Sequence, residues 1–307
     1  MDLKGSILKM RDIKPNSLKA YMIILRKLND NKDIENLDFL KNKKRILHFI
    51  SDLAITTQRN YLAAILVALP VLKEETKLLE FYKEQLEVLN VEYNSFIGSH
   101  EKSELQKLNW MTLKNLRKIY ESYRKEIRKE KYNKKETLTS KESKFLNNYL
   151  VVSLYVLMPP VRLDFAPMSI IKSIKDDDDK GNFLVNKSRN KKTFIINEYK
   201  SSKTYGKQVI QIPKELNTVL NLYLKFHKND SFLLNTRGKP LTSNALSKLI
   251  THAFGRYTNN IITLNLLRHI YITEKVKIKT ADEEKEEEKI AKSMQHSTAT
   301  QKTYIKH

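Results

Sequence analysis

Along the first hundred positions apolar residues recur at helical spacing, and strands are hard to find. Leu18, Tyr21, Leu25 and Leu28 follow Pro15-Asn16-Ser17 with the rhythm of one helix face. Asn16 or Ser17 caps that helix, and Asn29-Asp30-Asn31 ends it. A second helix is predicted from Asn42 to Leu53, with Ile46, Phe49 and Ile50 inward. A third starts at Thr56-Thr57 and carries Tyr61, Leu62, Ile65, Leu66 and Leu69 before Pro70, and Thr76 to about Val91 is a fourth. From Phe96 to Gln106 the apolar period disappears in a polar stretch. The pattern therefore divides the chain into an all-helical domain at 1–97, a linker at 98–108 and a second domain at 109–307.

The second domain is mixed. Thr112 begins a helix through Leu116, Ile119, Tyr120 and Tyr123, followed by a basic run from Arg124 to Lys135 that reads as a solvated face or loop, with phosphate contact as the alternative. Trp110 is read as packing. Ser140 to Met158 is a helix whose apolar second half belongs inside the domain, and Pro159-Pro160 stops it. After Ile170-Ile171 and an acidic turn at Asp176 to Asp179, three β-rich stretches alternate with polar turns: Phe183 to Val185, Thr193 to Ile196 and Gln208 to Ile212. They predict a small antiparallel three-stranded sheet with a Ser-Ser-Lys-Thr-Tyr-Gly turn. Helices then begin at Pro213, at Thr242 and at Thr263, the last bearing Asn265 and Arg268 three positions apart on neighbouring points of one face. The acidic run Ala281 to Glu288 is read as the outward face of a further helix.

Charge changes the picture. Lysine and arginine total 57 against 35 acidic residues, giving +22 and a pI near 9.7. That excess is the footprint of a nucleic-acid partner, and a lysine-rich composition inherited from an AT-rich genome contributes to it. With no cysteine, disulfides and thiolate chemistry are excluded. Met1 to Ser6 lacks the apolar region of a signal peptide, and the most apolar run, Tyr149 to Val161, is too short to span a bilayer. A soluble, intracellular protein without a membrane partner is expected.

The candidate chemistry lies near the C-terminus. Leu266-Leu267-Arg268-His269-Ile270-Tyr271, then Met294-Gln295-His296, then Tyr304 place an arginine, histidines and a tyrosine on successive helical turns, with Arg162 upstream after the two prolines. A tyrosine hydroxyl attacks phosphorus and holds it covalently when fixed cations absorb the charge on the non-bridging oxygens, and guanidinium forks match those oxygens two at a time. Such chemistry requires no metal or nucleotide cofactor. Without that shared task the residues read more plainly: Arg162 pairs with Asp164, His296 caps a helix, and Tyr304 packs.

Five places in order resemble the tyrosine recombinases and integrases, most closely divergent members from large DNA viruses, virophages and related mobile elements. They are Met158 to Asp164, Glu198 to Gly206, Asn265 to His269, His296, and Tyr304 eight residues later. The resemblance implies a core-binding (SAM-like) helical domain at the N-terminus and an α+β catalytic domain. It makes Tyr304 the nucleophile of a 3′-phosphotyrosyl bond, with Arg162, Arg268 and His296 holding the phosphate. Lys203 is then the general acid for the departing 5′ oxygen, with Lys200 as rival for the role and otherwise a DNA contact. Asn265 stands in the catalytic set where the family usually has histidine; it can hydrogen-bond a phosphate oxygen or orient the tyrosine, but a general base there is in doubt. Thr56 to Leu62 is similar to a DNA-facing helix start, so Lys19, Thr57 and Arg59 are backbone contacts; alternatively Thr56 merely caps and Arg59 is solvated. Double-stranded DNA as partner, a homodimer on each site, a homotetramer in synapsis and a host nucleus, viral factory or virion as location follow from the same resemblance. Its expected use is integration of a viral or mobile-element genome. A type IB topoisomerase and a DNA-binding relative that has lost catalysis are the alternatives. The family commonly continues past the tyrosine with a docking helix, whereas three residues follow Tyr304 here.

Overall fold

The computed structural model describes residues 2–72, 75–174, 180–276 and 281–306, with the backbone alone at 281–283. The acidic turn at Asp176 to Asp179 lies outside the described residues. Two compact units divide between Ser99 and His100, and the chain is mainly helical with a small sheet confined to the second unit.

In the first unit, α1 (Leu3–Met10), α2 (Pro15–Leu28), α3 (Lys43–Ser51), α4 (Ile55–Ala68) and α5 (Thr76–Gly98) follow one another. Pro15 sits in the first turn of α2, where its missing N–H is no loss, and the Asn42 side chain caps α3 by accepting from Arg45 N–H. α4 is the central helix: Tyr61, Leu62, Ala64, Ile65 and Ala68 are buried, and it packs against both α2 and α5. Its N-terminus has no side-chain cap, since Ala54 precedes the first turn and Thr56 lies inside the helix. Tyr82 of α5 is buried and donates from its hydroxyl to Leu40 O at 2.7 Å, which satisfies the polar end of a large core ring. α5 runs further than Val91.

The polar stretch at 98–108 is not featureless. Ser103 and Gln106 form a reciprocal capping box. That cap starts α6 (Glu104–Asn109) inside the second unit. α7 (Leu113–Lys129) and α8 (Ser140–Val156) pack together. α8 is buried at ten positions, from Phe145 through Tyr155, because α7, α10 (Lys214–Phe226) and α11 (Ser243–Gly255) surround it. The Thr139–Glu142 capping box sets its start.

The sheet differs from the expected three antiparallel strands. It has four, in the order β1 (Ser169–Ile171), β2 (Asn182–Ser188), β3 (Lys191–Ile196) and β4 (Gln208–Gln211). β1 lies parallel to β2, while β2–β3 and β3–β4 are antiparallel. β1 is short, and its other side is held from far along the chain: Ile170 N–H donates to Asp230 O at 2.6 Å and Phe232 N–H to Met168 O at 2.8 Å. No local period reports such a non-local pairing. Phe165, Phe194 and Phe232 pack ring against ring beneath the sheet. Between β3 and β4 the expected turn holds α9 (Ser202–Tyr205), a single helical turn closed by Gly206 at φ +63° and ψ −164°, a conformation open to glycine.

Three further helices complete the unit: α12 (Leu264–Lys275), capped by Thr263, α13 (Ala281–Ser293), and α14 (Thr298–Lys302), capped by Ser297. α13 is not wholly outward, because Glu287 is buried. Among the described residues no helix is long and apolar enough to cross a membrane.

Candidate active site

The C-terminus of α13 organises the site. After Ser293 the chain closes in a left-handed turn, with Gln295 at φ +59°. His296 N–H donates back to Ala291 O at 3.1 Å and Gln295 N–H to Lys292 O at 3.1 Å. That turn leaves the next carbonyls, of Met294 and Gln295, facing inward at the negative end of the helix, where cations are favoured. Arg268 Nη2 donates to Met294 O at 3.1 Å and its Nη1 to Pro160 O at 2.8 Å. Arg162 Nη1 donates to Gln295 O at 2.8 Å, and Ser201 Oγ donates to the same carbonyl at 2.7 Å. One turn of backbone thus gathers the loop after α8, the β3–β4 connection and α12.

Arg268 is 1% exposed, and its Nε is buried without a hydrogen-bond partner. Burial lowers its pKa below the ordinary guanidinium value, and the Tyr304 phenol beside it opposes that shift. Its guanidinium carbon lies 5.3 Å from the centre of the Tyr304 ring. The two imidazoles complete the surroundings of that ring. His296 stacks on it at 5.5 Å with planes 9° apart, and His269 lies tilted at 4.6 Å.

His296 is 3% exposed. Its Nδ1 lies 3.1 Å from Ser297 O, which can only accept, so Nδ1 carries the proton and the neutral ring presents a lone pair at Nε2. That Nε2 is buried with no partner. Burial, with Arg268 next in weight, pushes the His296 pKa down to about 4. His269 is likewise lowered to about 4, chiefly by burial.

The backbone of Tyr304 is strapped to its own unit. His269 Nδ1 donates to Tyr304 O at 3.0 Å, and Thr273 Oγ1 donates to the same oxygen at 3.2 Å while accepting Lys306 N–H at 3.1 Å. His269 therefore contacts the tyrosine through both ring and backbone.

Asp164 does not pair with Arg162: no ion pair joins them among the described residues, and Asp164 Oδ2 is buried without a partner. Burial raises its pKa to about 6 although Arg162 and Arg268 pull it back. The Arg162 loop is held instead by Asn182, which is 3% exposed. Its amide nitrogen donates to Asp164 O and Glu198 O at 3.1 and 3.0 Å, and its oxygen accepts Asn197 and Glu198 N–H at 3.0 and 2.9 Å. Asn182, Ser201, Gln295 and Thr273 were missed from sequence. Only the asparagine's place at the head of an apolar strand marked any of them as unusual.

The structure brings Arg162, Arg268, His296 and Tyr304 together. Asn265 is exposed and its side chain makes no hydrogen bond among the described residues, because Arg268 takes the inward face of α12. Lys200 and Lys203 are both exposed; Lys200 directly precedes the tethered Ser201, and Lys203 lies in α9. In the first unit Lys19 is exposed and Thr57 partly so, whereas Arg59 is engaged by α5, its Nε donating to Asn90 Oδ1 at 2.8 Å and its guanidinium lying 4.0 Å from the Tyr93 ring centre. Among the described residues no group of acidic, histidine or cysteine side chains is arranged to hold a metal.

No family model matches the sequence. No curated protein matches it either. Among solved structures the fold is similar to that titled "Crystal structure of XerA recombinase", at 12% identity and a TM-score of 0.43, over 100% of this chain and 93% of that one. So distant a likeness leaves the chemistry to be argued from the site's own residues.

Proposed function

We propose that this chain is a DNA strand-transfer enzyme of the tyrosine recombinase kind. The observation that carries the reading is the convergence on the Tyr304 ring of Arg268 and His296, each with a buried nitrogen, Nε and Nε2, that lacks a partner. Leaving such groups unsatisfied costs about 1–3 kcal/mol each, a cost removed when an occupant supplies complementary atoms. A phosphodiester oxygen accepts from the Arg268 Nε–H, the attacking Tyr304 hydroxyl is the donor for the His296 Nε2 lone pair, and two adjacent guanidiniums, Arg268 and Arg162, give the site the matching charge.

In this reading Tyr304 Oη bonds to phosphorus as the bond to the 5′ oxygen breaks. The phenolic proton passes to His296 Nε2, since Asn265 is out in solvent. Arg162 and Arg268 hold the non-bridging oxygens, and a lysine ammonium protonates the leaving 5′ oxygen. A 5′ hydroxyl from a partner strand then attacks the phosphotyrosine and restores the phenol. Lys200 fits the general acid better than Lys203, because Ser201 anchors its backbone to the carbonyl that holds Arg162. Lys19 and Thr57 add DNA contacts in the N-terminal unit. Integration of a viral or mobile-element genome, by dimers on each site joined as a tetramer, is the use that fits.

The test is covalent trapping on nicked or gapped duplexes bearing the element's ends, for wild type and Tyr304→Phe. A metal-independent adduct with wild type alone supports the reading, and a two-site exchange assay then separates recombinase from topoisomerase. An adduct surviving Tyr304→Phe identifies another nucleophile, and none with either protein leaves DNA binding without catalysis. For the lysines, Lys200→Ala is expected to slow cleavage by roughly 10²–10⁴-fold. A bridging 5′-thiol leaving group, which needs no general acid, restores the rate. If Lys203→Ala instead shows that loss and rescue, the assignment is reversed.

A further inference from the structure

A basin of about 1630 Å³ opens between α7, α10 and the β2–β3 turn, and the chemistry at Tyr304 makes no use of it. Eight lysines and arginines line it against one acid, Glu215. That carboxylate is already taken, since Arg117 Nη2 donates to both of its oxygens at 2.6 Å. Arg128, Lys131, Lys134, Arg189 and Lys214 are exposed on its rim and have no ion-pair partner among the described residues. α10 opens on the basin with no side-chain cap, which leaves its first N–H groups to an anion.

The walls are fixed before any ligand arrives. Lys192, 5% exposed, ties the β2–β3 turn to α10 by donating to Arg189 O at 2.7 Å and to Asn221 Oδ1 at 2.6 Å. Lys225 ties the loop carrying Lys134 to the same helix, through Asn133 O at 2.9 Å and Lys135 O at 2.6 Å. A concentration of like charge on a rigid frame is repulsive until an anion occupies it, and several cations spaced around an open trough suit a chain of phosphates.

The basin is also apart from Tyr304. β3 leads from Lys192 to Ile196, roughly 13 Å at strand rise, before the chain reaches the tethered Ser201. Along α8, Tyr149 lines the basin while Arg162 lies beyond the far end of that helix.

We propose that this basin is a second nucleic-acid site, binding the phosphodiester backbone of DNA away from the phosphate held at Tyr304, on the flank of the same duplex or on another duplex. It rests on DNA being the substrate, but its test reads binding and needs no cleavage, so loss of the Tyr304 adduct leaves it standing. The variant combines Arg128→Gln, Lys131→Gln, Lys134→Gln and Arg189→Gln. The control removes equal charge from exposed positions off the basin, as Lys114→Gln, Lys118→Gln, Lys228→Gln and Lys248→Gln. Thermal midpoints establish that both are folded, and Arg128→Gln with Arg189→Gln serves if the fourfold variant is not. Two readouts follow: the salt dependence of affinity for short and long duplexes, and capture of a labelled duplex by protein held on a tethered one.

For a flanking contact, the basin variant lowers the salt slope on long duplexes alone, by roughly 3 to 4 if each cation neutralises one phosphate. For a second duplex, it abolishes capture while the tethered DNA stays bound. Equal changes in variant and control, no change in either, an equal loss on short duplexes, or a wild type that fails to bind DNA would each overturn the proposal.

Discussion

Arg268 ties two backbone segments together and, in the proposed function, also holds the phosphate, and the two roles are separable by experiment. Replacing it with alanine orphans two carbonyls, Pro160 O and Met294 O. About 2–4 kcal/mol of unfolding free energy is expected to be lost, measured by urea denaturation, together with the covalent adduct. Arg268→Lys keeps a charge but not the planar fork, so it is expected to fold better than the alanine variant and still lose most of the adduct. His296 gives a pH signature. Its folded pKa, about 4, lies below the unfolded histidine value of 6.5. Above pH 6.5 both states are neutral; as pH falls from there toward 4 the unfolded chain takes up the proton first, so stability is lost, by up to roughly 3 kcal/mol. His269 acts the same way, whereas Asp164, raised to about 6, stabilises the fold as pH falls through that value. The His296 contribution is therefore the difference between wild type and His296→Gln in urea titrations across that window. An equal pH dependence for the two proteins would contradict a buried, neutral His296. Arg268, His296 and Tyr304 were legible in sequence because their spacing is part of a motif. Gln295 and Ser201 were not, because what they contribute is a backbone carbonyl and a tether to it.

At the scale of elements, the site depends on struts between segments that are distant in sequence. Asn182 uses all four of its hydrogen-bonding positions to hold the Arg162 loop against the start of the β3–β4 connection. Asn182→Leu leaves these backbone groups unsatisfied and is expected to cost about 2–4 kcal/mol in urea titrations. Thr273 is a smaller strut. Thr273→Val keeps the shape but loses the bonds to Tyr304 O and Lys306 N–H. Adduct formation is expected to slow about tenfold in single-turnover assays with DNA affinity unchanged; a parallel fall in affinity would place Thr273 in binding instead of in delivery of the tyrosine. Most long helices were legible from apolar period and caps, as with Thr139 before α8 and Thr263 before α12. The parallel strand β1 was not, because its partners across residues 230–232 have no local signature.

For the whole molecule the governing quantity is charge, +22 over 307 residues. If about six or more phosphates are neutralised, affinity for duplex DNA should fall with a log–log salt slope on the order of −5 or steeper, measured by titration at several salt concentrations. A nearly flat response would count against a DNA-gripping role. The chain's own letters determined the two kinds of region, one helical and one mixed, and the order of the residues that meet at Tyr304, because periodicity, caps and motif spacing are local properties. Only tertiary structure decided which of them meet. Asn265 and Arg268 share a helix face at the level of spacing, yet the carbonyls of Pro160 and Met294 draw one inward and leave the other in solvent. The basic run after Arg124 likewise became the wall of a basin once α10 and the β2–β3 turn were packed beside it. Both outcomes depend on contacts between segments far apart in the chain, where no pattern of neighbouring residues reports them.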